Sequence, residues 1–506
     1  MAQALSFEAL VPYMTACFMT CATVFLCVAY WVIGCIYNLY FHPLSKFPGP
    51  KAAAITRLWH SKHWVGGRYP QTITSLHQKY GPVMRIAPNA LSFSSASSWR
   101  DIYGHTTNRA TFLKTDWYND GTHPNLASSR DPEQHSRMLK LLNSGFSSKA
   151  LLEQEDIIQE YIDVLIAQLN VHATGAKSAD MTQWYNFAAF DIVGDLSFGE
   201  PFGSLKTLEL HFWPALIMDA IKALAWISEL GAYPWLKAFI PYIVPKKAMA
   251  GRVRHWQYAN DKITKRMNTV TSRKDFMSKI LENKEAQGVT TDEMQAHASV
   301  MVLAGSETIA TSLSAITYYL CRNPEVYKKL TTEIREAFNN YDDIKGQPTE
   351  KLSYLKAVIE EELRIFPAVP FGMPRYSPGE TVDGYFIPKG VIVSTMSYAS
   401  THDPVNFHRP YEFLPERWLD PNCKDIKDAS QPFLLGSRSC IGRNLAMMEL
   451  RTILAKMLWV FDMQLTDDNL DWNRDATSYL VWKRPELLVK YTRRPGIYVP
   501  PIDNSE

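Results

Sequence analysis

Phe433-Leu434-Leu435-Gly436-Ser437-Arg438-Ser439-Cys440-Ile441-Gly442 decides how the rest of the chain is read, because it can present one cysteine thiolate to a metal. Gly436 stands where a tight turn calls for positive φ, and Gly442 where a larger side chain would keep the following helix away from a flat cofactor. From Ile441 onward, Leu445, Met448, Leu450, Ile453, Leu454, Met457 and Leu458 recur at three- and four-residue spacing, so Cys440 stands at the N-terminus of a helix. Positive helix-end charge, nearby Arg438 and free loop N–H groups all favour S⁻ over SH. Taken singly, Cys440 would be an unpaired loop cysteine; the surrounding pattern is what gives it chemistry.

The run Phe433-x-x-Gly436-x-Arg438-x-Cys440-x-Gly442 resembles the haem-thiolate signature of the cytochrome P450 family at every fixed position. The resemblance implies a b-type haem with iron on Cys440, Phe433 beside the sulfur and Arg438 at a propionate. A thiolate ligand pushes electron density through iron and suits oxygen activation. The implied fold is mainly α with a small β-region, preceded by one N-terminal transmembrane helix.

Composition sets the outer bounds. The chain has 506 residues, 46% hydrophobic and 21% charged, an ordinary globular balance. A net charge of +2 and the lack of any long Lys/Arg run argue against a nucleic-acid partner. Four of the seven cysteines (Cys17, Cys21, Cys27, Cys35) lie in the apolar N-terminus. The others, Cys321, Cys423 and Cys440, form neither a disulfide framework nor a zinc spacing. No Asn-x-Ser/Thr sequon occurs, which fits a cytosolic body.

Residues 11–41 contain no charged side chain, where about 20 apolar residues suffice to cross a bilayer. A cleaved signal would need a basic segment before it and a shorter apolar core, so the stretch reads as a retained anchor. Lys46, Lys51 and Arg57 follow it and place the body on the cytoplasmic side. The expected division is an anchor over 1–41, a proline-rich hinge over 42–50 and a haem domain over 51–506. The hinge, His42-Pro43-Leu44-Ser45-Lys46-Phe47-Pro48-Gly49-Pro50, and the run from Lys79 to Pro88 are similar to fungal microsomal P450s. The implied location is the endoplasmic reticulum membrane, single-pass, with the haem domain cytosolic.

Residues 101–130 lack sustained period and read as a long loop, which by resemblance covers the distal face. Asp131 and Pro132 open a helix as N-cap and first residue. By resemblance His135 holds the place of a cofactor-contacting residue, whereas Leu139 stands where the family has a propionate-binding Arg. Arg137 and Lys140 lie about 200° and 100° around the helix from Leu139 and substitute poorly for it. Residues 187–199 resemble a core helix. The aromatic stretch over 213–245 (Trp213, Trp226, Tyr233, Trp235, Phe239, Tyr242) reads either as core or as a membrane-dipping roof.

Thr290-Thr291-Asp292-Glu293 opens a long apolar helix as a capping box, and Asn323-Pro324 closes it. Within it, Ala304-Gly305-Ser306-Glu307-Thr308 would be an ordinary buried stretch were it not for Cys440. Beside Cys440 it resembles the family's oxygen-activation motif, with Ala304 and Gly305 next to the haem and Glu307 and Thr308 delivering protons. Glu361-Glu362-Leu363-Arg364 with Pro415-Glu416-Arg417-Trp418 resembles the family's structural triad Glu361, Arg364 and Arg417. Residues 371–397 carry short strand signals, and Arg375 aligns with a propionate-binding Arg. Residues 477–491 read as a hairpin that reaches the pocket near 476–482.

The resemblance covers 42–491 and implies a monooxygenase that inserts one atom of O₂ into a hydrophobic small molecule, a fungal secondary metabolite. Electrons would come from NADPH-cytochrome P450 reductase, with cytochrome b5 as a second donor, since no dinucleotide fingerprint follows a strand. Two alternatives stand beside it: a P450-fold isomerase or dehydratase that needs no O₂, and a non-catalytic haem-binding protein.

Overall fold

The computed structural model describes residues 7–105, 109–119, 123–174, 177–209, 212–233, 239–269, 271, 273–282 and 288–501. The segments 106–108 and 120–122 of the expected loop, and Trp235, lie outside the described residues. Architecture is mainly helical with four small sheets, as the sequence predicts. The first helix, Phe7–Ile36, continues as one π-turn over Tyr37–Phe41. Among the described residues two helices are long and apolar enough to cross a membrane. Nothing in the apolar window of Tyr13–Phe41 is buried by protein, whereas 67% of the window in Thr291–Arg322 is, which makes the latter a core helix.

The proline-rich stretch that follows is packed onto the body. Leu44 and Phe47 are buried with Val83, Leu91 and Phe93. The Arg85 amide donates to Pro48 O at 2.7 Å, and its guanidinium donates to Asn38 O at 2.6 Å. A Cβ on Gly49, whose φ is +153°, would lie 2.4 Å from Arg85 O, so only glycine lets the two backbones meet.

The main sheet has five strands in the order Val83–Ala87, Ala90–Phe93, Ile392–Thr395, Arg375–Tyr376, Leu113–Lys114. Ala90–Phe93 runs parallel to Ile392–Thr395, and the remaining pairs are antiparallel. The final antiparallel pair sets Lys114 directly opposite Arg375. In the C-terminal part, Thr477–Ser478 pairs with Trp482–Lys483 as the expected hairpin. Leu488–Arg493 departs from that hairpin and pairs with Phe461–Leu465.

The long helix Thr291–Arg322 is the spine. Thr290 Oγ1 accepts from the Glu293 amide, the cap the sequence predicts. Its faces pack on the helices Met181–Phe198, Lys246–Met267, Ser353–Ile365 and Arg443–Val460. The aromatic stretch over 213–245 divides in two. Trp213 is fully buried and donates from Nε1 to His255 Nδ1 at 2.7 Å, so for this residue the roof reading is corrected to core. That bond fixes His255 as the Nε2–H tautomer, which then donates to Ser299 Oγ at 2.7 Å. Phe239, Tyr242 and Ile243 remain exposed.

Candidate functional site: the cysteine loop and the distal helix

The loop over 433–442 is shaped by left-handed backbone at Leu434 (φ 61°) and Gly436 (φ 69°). A Cβ on Gly436 would come 2.3 Å from Tyr103 O, so glycine serves both conformation and clearance there. The Cys440 amide donates to Phe433 O at 2.8 Å and closes the loop. The helix Arg443–Val460 begins three residues after Cys440. Burial pushes the Cys440 thiol up, while the N–H groups of Gly442 and Arg443, with the Arg443 charge, pull it back down. The cation acting on the sulfur is therefore Arg443; Arg438, expected in that role, is turned elsewhere. Phe433 is partly buried, with the Arg443 guanidinium 5.7 Å from its ring centre. At Gly442 a Cβ would meet no protein atom nearer than Cys440 Sγ at 3.9 Å, so protein packing does not demand glycine there.

On the distal helix, Ala304 is exposed and Thr308 half-buried, although the residues from Ile309 to Leu320 are buried. Thr308 Oγ1 donates back to Ala304 O at 2.6 Å. At Gly305 a Cβ would lie 2.8 Å from Val193 Cγ2. Its missing side chain lets the helix Met181–Phe198 pack close. Glu307 already has a partner within the protein. It is buried and accepts from Arg484 Nη2 at 3.0 Å, while that nitrogen also reaches Asn186 Oδ1 at 2.9 Å. Burial pushes the Glu307 carboxyl up and Arg484 works against that shift. Arg484 had no motif to announce it.

A cluster of cations forms the third wall. Arg375 is buried, donates to Tyr118 Oη at 2.6 Å and Pro374 O at 3.0 Å, and stacks over Tyr103 and Tyr118. Arg438 donates to Ser129 O at 2.8 Å and Arg130 O at 3.4 Å. His135 is buried beside them, and burial with the charges of Arg438, Lys114 and Arg375 pushes it down to about 3. Lys114, which no motif marks, completes the group. Of the two weak substitutes for the arginine absent at Leu139, Arg137 pairs with Glu293 at 2.7 Å and Lys140 is exposed.

Glu361, Arg364 and Arg417 form a buried triad. Glu361 accepts from Arg364 Nε at 2.9 Å and Nη2 at 2.8 Å, from Arg417 Nε at 3.1 Å, and also from Trp418 Nε1 at 2.9 Å and the Leu414 amide at 2.9 Å. All three charged side chains are 0% exposed. Arg364 ties in the carbonyls of Thr401, Pro410 and Glu412, and Arg417 pairs further with Asp425. His408, Cys423 and Asp425 bring metal-binding atoms within 4.8 Å of one another. Asp425 is, however, already held by Arg417 and His408.

These walls fit the haem implied by the resemblance. An accessible sulfur with two N–H donors suits a metal-bound thiolate, and the exposed Ala304 leaves the distal helix open. Arg375, Arg438 and Lys114 have only neutral oxygens as hydrogen-bond acceptors among the described residues, which suits a dianionic edge.

Residues 48–491 match the family model for cytochrome P450. The cytochrome P450 monooxygenase ORF9 of Penicillium roqueforti is 42% identical over 92% of each chain. BOT4 of Botryotinia fuckeliana, also a cytochrome P450 monooxygenase, is 41% identical over 90% of this chain and 88% of its own. The trichothecene C-15 hydroxylase of Fusarium sporotrichioides is 37% identical over 91% and 96%. Sequence signature, fold and relatives converge, and the chain belongs to the cytochrome P450 family of haem-thiolate monooxygenases.

Proposed function

We propose that Cys440 is the axial thiolate of the haem, that Arg438, Arg375 and His135 face its propionate edge, and that Ala304 and Thr308 line its distal side. Membership of the family brings with it a redox partner and a hydrophobic substrate. Exposed Cys440, just before the helix that packs on the distal helix, with the Gly442 and Arg443 N–H groups and the Arg443 charge favouring its thiolate, is the observation that carries the reading. When bound, the haem supplies O₂ activation, one oxygen atom entering substrate and the other leaving as water. Gly436 and Phe433 hold the loop, and Gly442 leaves the sulfur uncrowded.

The substrate we infer is an apolar secondary metabolite, in keeping with a relative named for hydroxylating a trichothecene at C-15. Electrons would come from NADPH-cytochrome P450 reductase, with cytochrome b5 as a second donor. Exposed Lys356 and Arg443, which both act on Glu360 beside the loop, offer cations to an acidic donor surface. Comparing metabolites of the source organism with and without this chain tests the substrate class: an accumulated apolar precursor supports it, and an unchanged profile rejects it.

Thr308 would pass protons: the residue is half-buried, and its hydroxyl donates back to the carbonyl of exposed Ala304. Glu307 shares that task only when Arg484 releases it. Thr308→Ala is expected to bind substrate normally yet divert NADPH electrons to hydrogen peroxide, with product per NADPH falling by about tenfold or more. Full anaerobic turnover without reductase would instead favour the isomerase reading.

Residues 1–41 would anchor the chain in the endoplasmic reticulum, single-pass, with 42–50 joining the anchor to a haem domain over 51–506. Deletion of 1–41 is expected to move most of the protein into the soluble fraction with haem content unchanged. Membrane association that survives the deletion would be assigned to Phe239, Tyr242 and Ile243.

A further inference from the structure

Lys114 and Arg375 stand directly opposite each other across two antiparallel strands. Like charges at that spacing repel, and here both side chains are buried, at 6% and 3% exposure. Burying two facing cations is costly unless something compensates them. The Lys114 ammonium donates to Ala127 O at 2.7 Å and Leu126 O at 3.3 Å, and sits 5.2 Å from the Tyr118 ring centre. These partners orient the charge without neutralising it. Arg438, from the cysteine loop, presses on the same point, and these charges together with burial hold His135, from the helix Pro132–Asn143, neutral beside them. Of the nearby carboxylates, Asp116 is held by Arg130 and Tyr376, and Asp131 caps its helix through the Glu133 amide. The protein has therefore built a dry, doubly cationic corner and left its countercharge to a ligand.

We propose that Lys114 is a propionate-binding residue of this chain, supplying from the sheet edge the cation that Leu139 cannot supply from the helix. The inference rests on the haem reading above and adds a residue to it. Burial, then Arg438, then Arg375, push the ammonium down to about 6, so a neighbouring carboxylate is what keeps it charged at neutral pH. Lys114 is a positioning residue: it orients the cofactor through its carboxylate and takes no part in the oxidation.

The test is haem release from purified full-length holoprotein to excess apomyoglobin, followed by absorbance. Lys114→Met is expected to release haem about tenfold faster than the natural chain, and Lys114→Arg to stay within about threefold of it. Lys114→Gln, which keeps N–H donors on a shorter, uncharged side chain, is the second variant should Met disturb folding, and it too is expected to release faster. Natural and variant chains loaded with haem dimethyl ester, which has no propionate charge, are expected to release it at equal rates. Equal release of native haem by the natural, Met and Gln chains would overturn the proposal. So would a Lys114→Met or Lys114→Gln defect that persists with the ester, since it would show that the lysine only ties the loop at 126–127. If the natural chain itself took up no haem, the failure would lie in the underlying reading.

Discussion

Cys440→Ala removes the proposed sulfur ligand and is expected to abolish turnover completely while leaving a folded chain with its N-terminal apolar helix intact. The reason is the division of labour around the loop. Its shape comes from Leu434 and Gly436 in left-handed backbone and from the Cys440 amide on Phe433 O, none of which needs the side chain. The amides of Gly442 and Arg443 lose their sulfur acceptor, but the loop is open enough for water to replace it. The measurement is the ferrous carbonyl Soret band, whose position separates thiolate from imidazole ligation. A Cys440→Ala protein with an unchanged thiolate band would transfer the role to another cysteine. Among those described outside the anchor, Cys321 is partly buried and raised by burial to about 12, and Cys423 lies beside Asp425.

The second large effect is expected at Glu361, for the opposite reason. Its carboxylate accepts from five donors and is the only negative partner of Arg364 among the described residues. Glu361→Gln leaves a fully buried guanidinium without countercharge, and breaking a buried pair in this way costs about 3–5 kcal/mol. Net stability of a folded chain is of the order of 5–15 kcal/mol, so the variant is expected to accumulate as haem-free, aggregated protein. Recovery on expression and the denaturant midpoint are the measurements. Normal yield with an unchanged midpoint would mean that the hydrogen bonds to Thr401, Pro410 and Glu412 carbonyls suffice to hold Arg364. Asp425 gives Arg417 a second carboxylate, so Arg417→Ala should also unfold the loop around His408.

What the sequence made legible was local. Asp131 and Thr290 cap their helices as read, because a cap concerns residues two or three apart. Gly436 was readable because a turn declares its own backbone need. The triad was readable because its pieces carry a pattern, although Trp418 and Asp425, which share the load, do not. What stayed hidden depends on residues far apart in the chain. Glu307 meets Arg484 across 177 positions, which no helix periodicity could announce. Nothing in the motif around Gly305 announces that Val193, more than a hundred positions earlier, packs against it. Trp213 belonged to an aromatic run, yet one buried bond to His255 separates it from its exposed neighbours. Lys114 became visible only when sheet register placed it against Arg375.

The junction at Asn38, Pro48 and Gly49, clamped on Arg85, bears on how the body would meet the proposed electron donor. A slack tether would confine the body near the bilayer and still let it tumble, so that most collisions with a donor in the same membrane would present the wrong side. With residues 1–41 as the proposed anchor, the chain would leave the lipid already fastened to the sheet, with Leu44 and Phe47 buried against it. The search for a donor is thereby reduced from three rotations toward one, a spin about the bilayer normal. Folding would then have met the orientational cost in advance, and each lateral encounter would start from nearly the same pose.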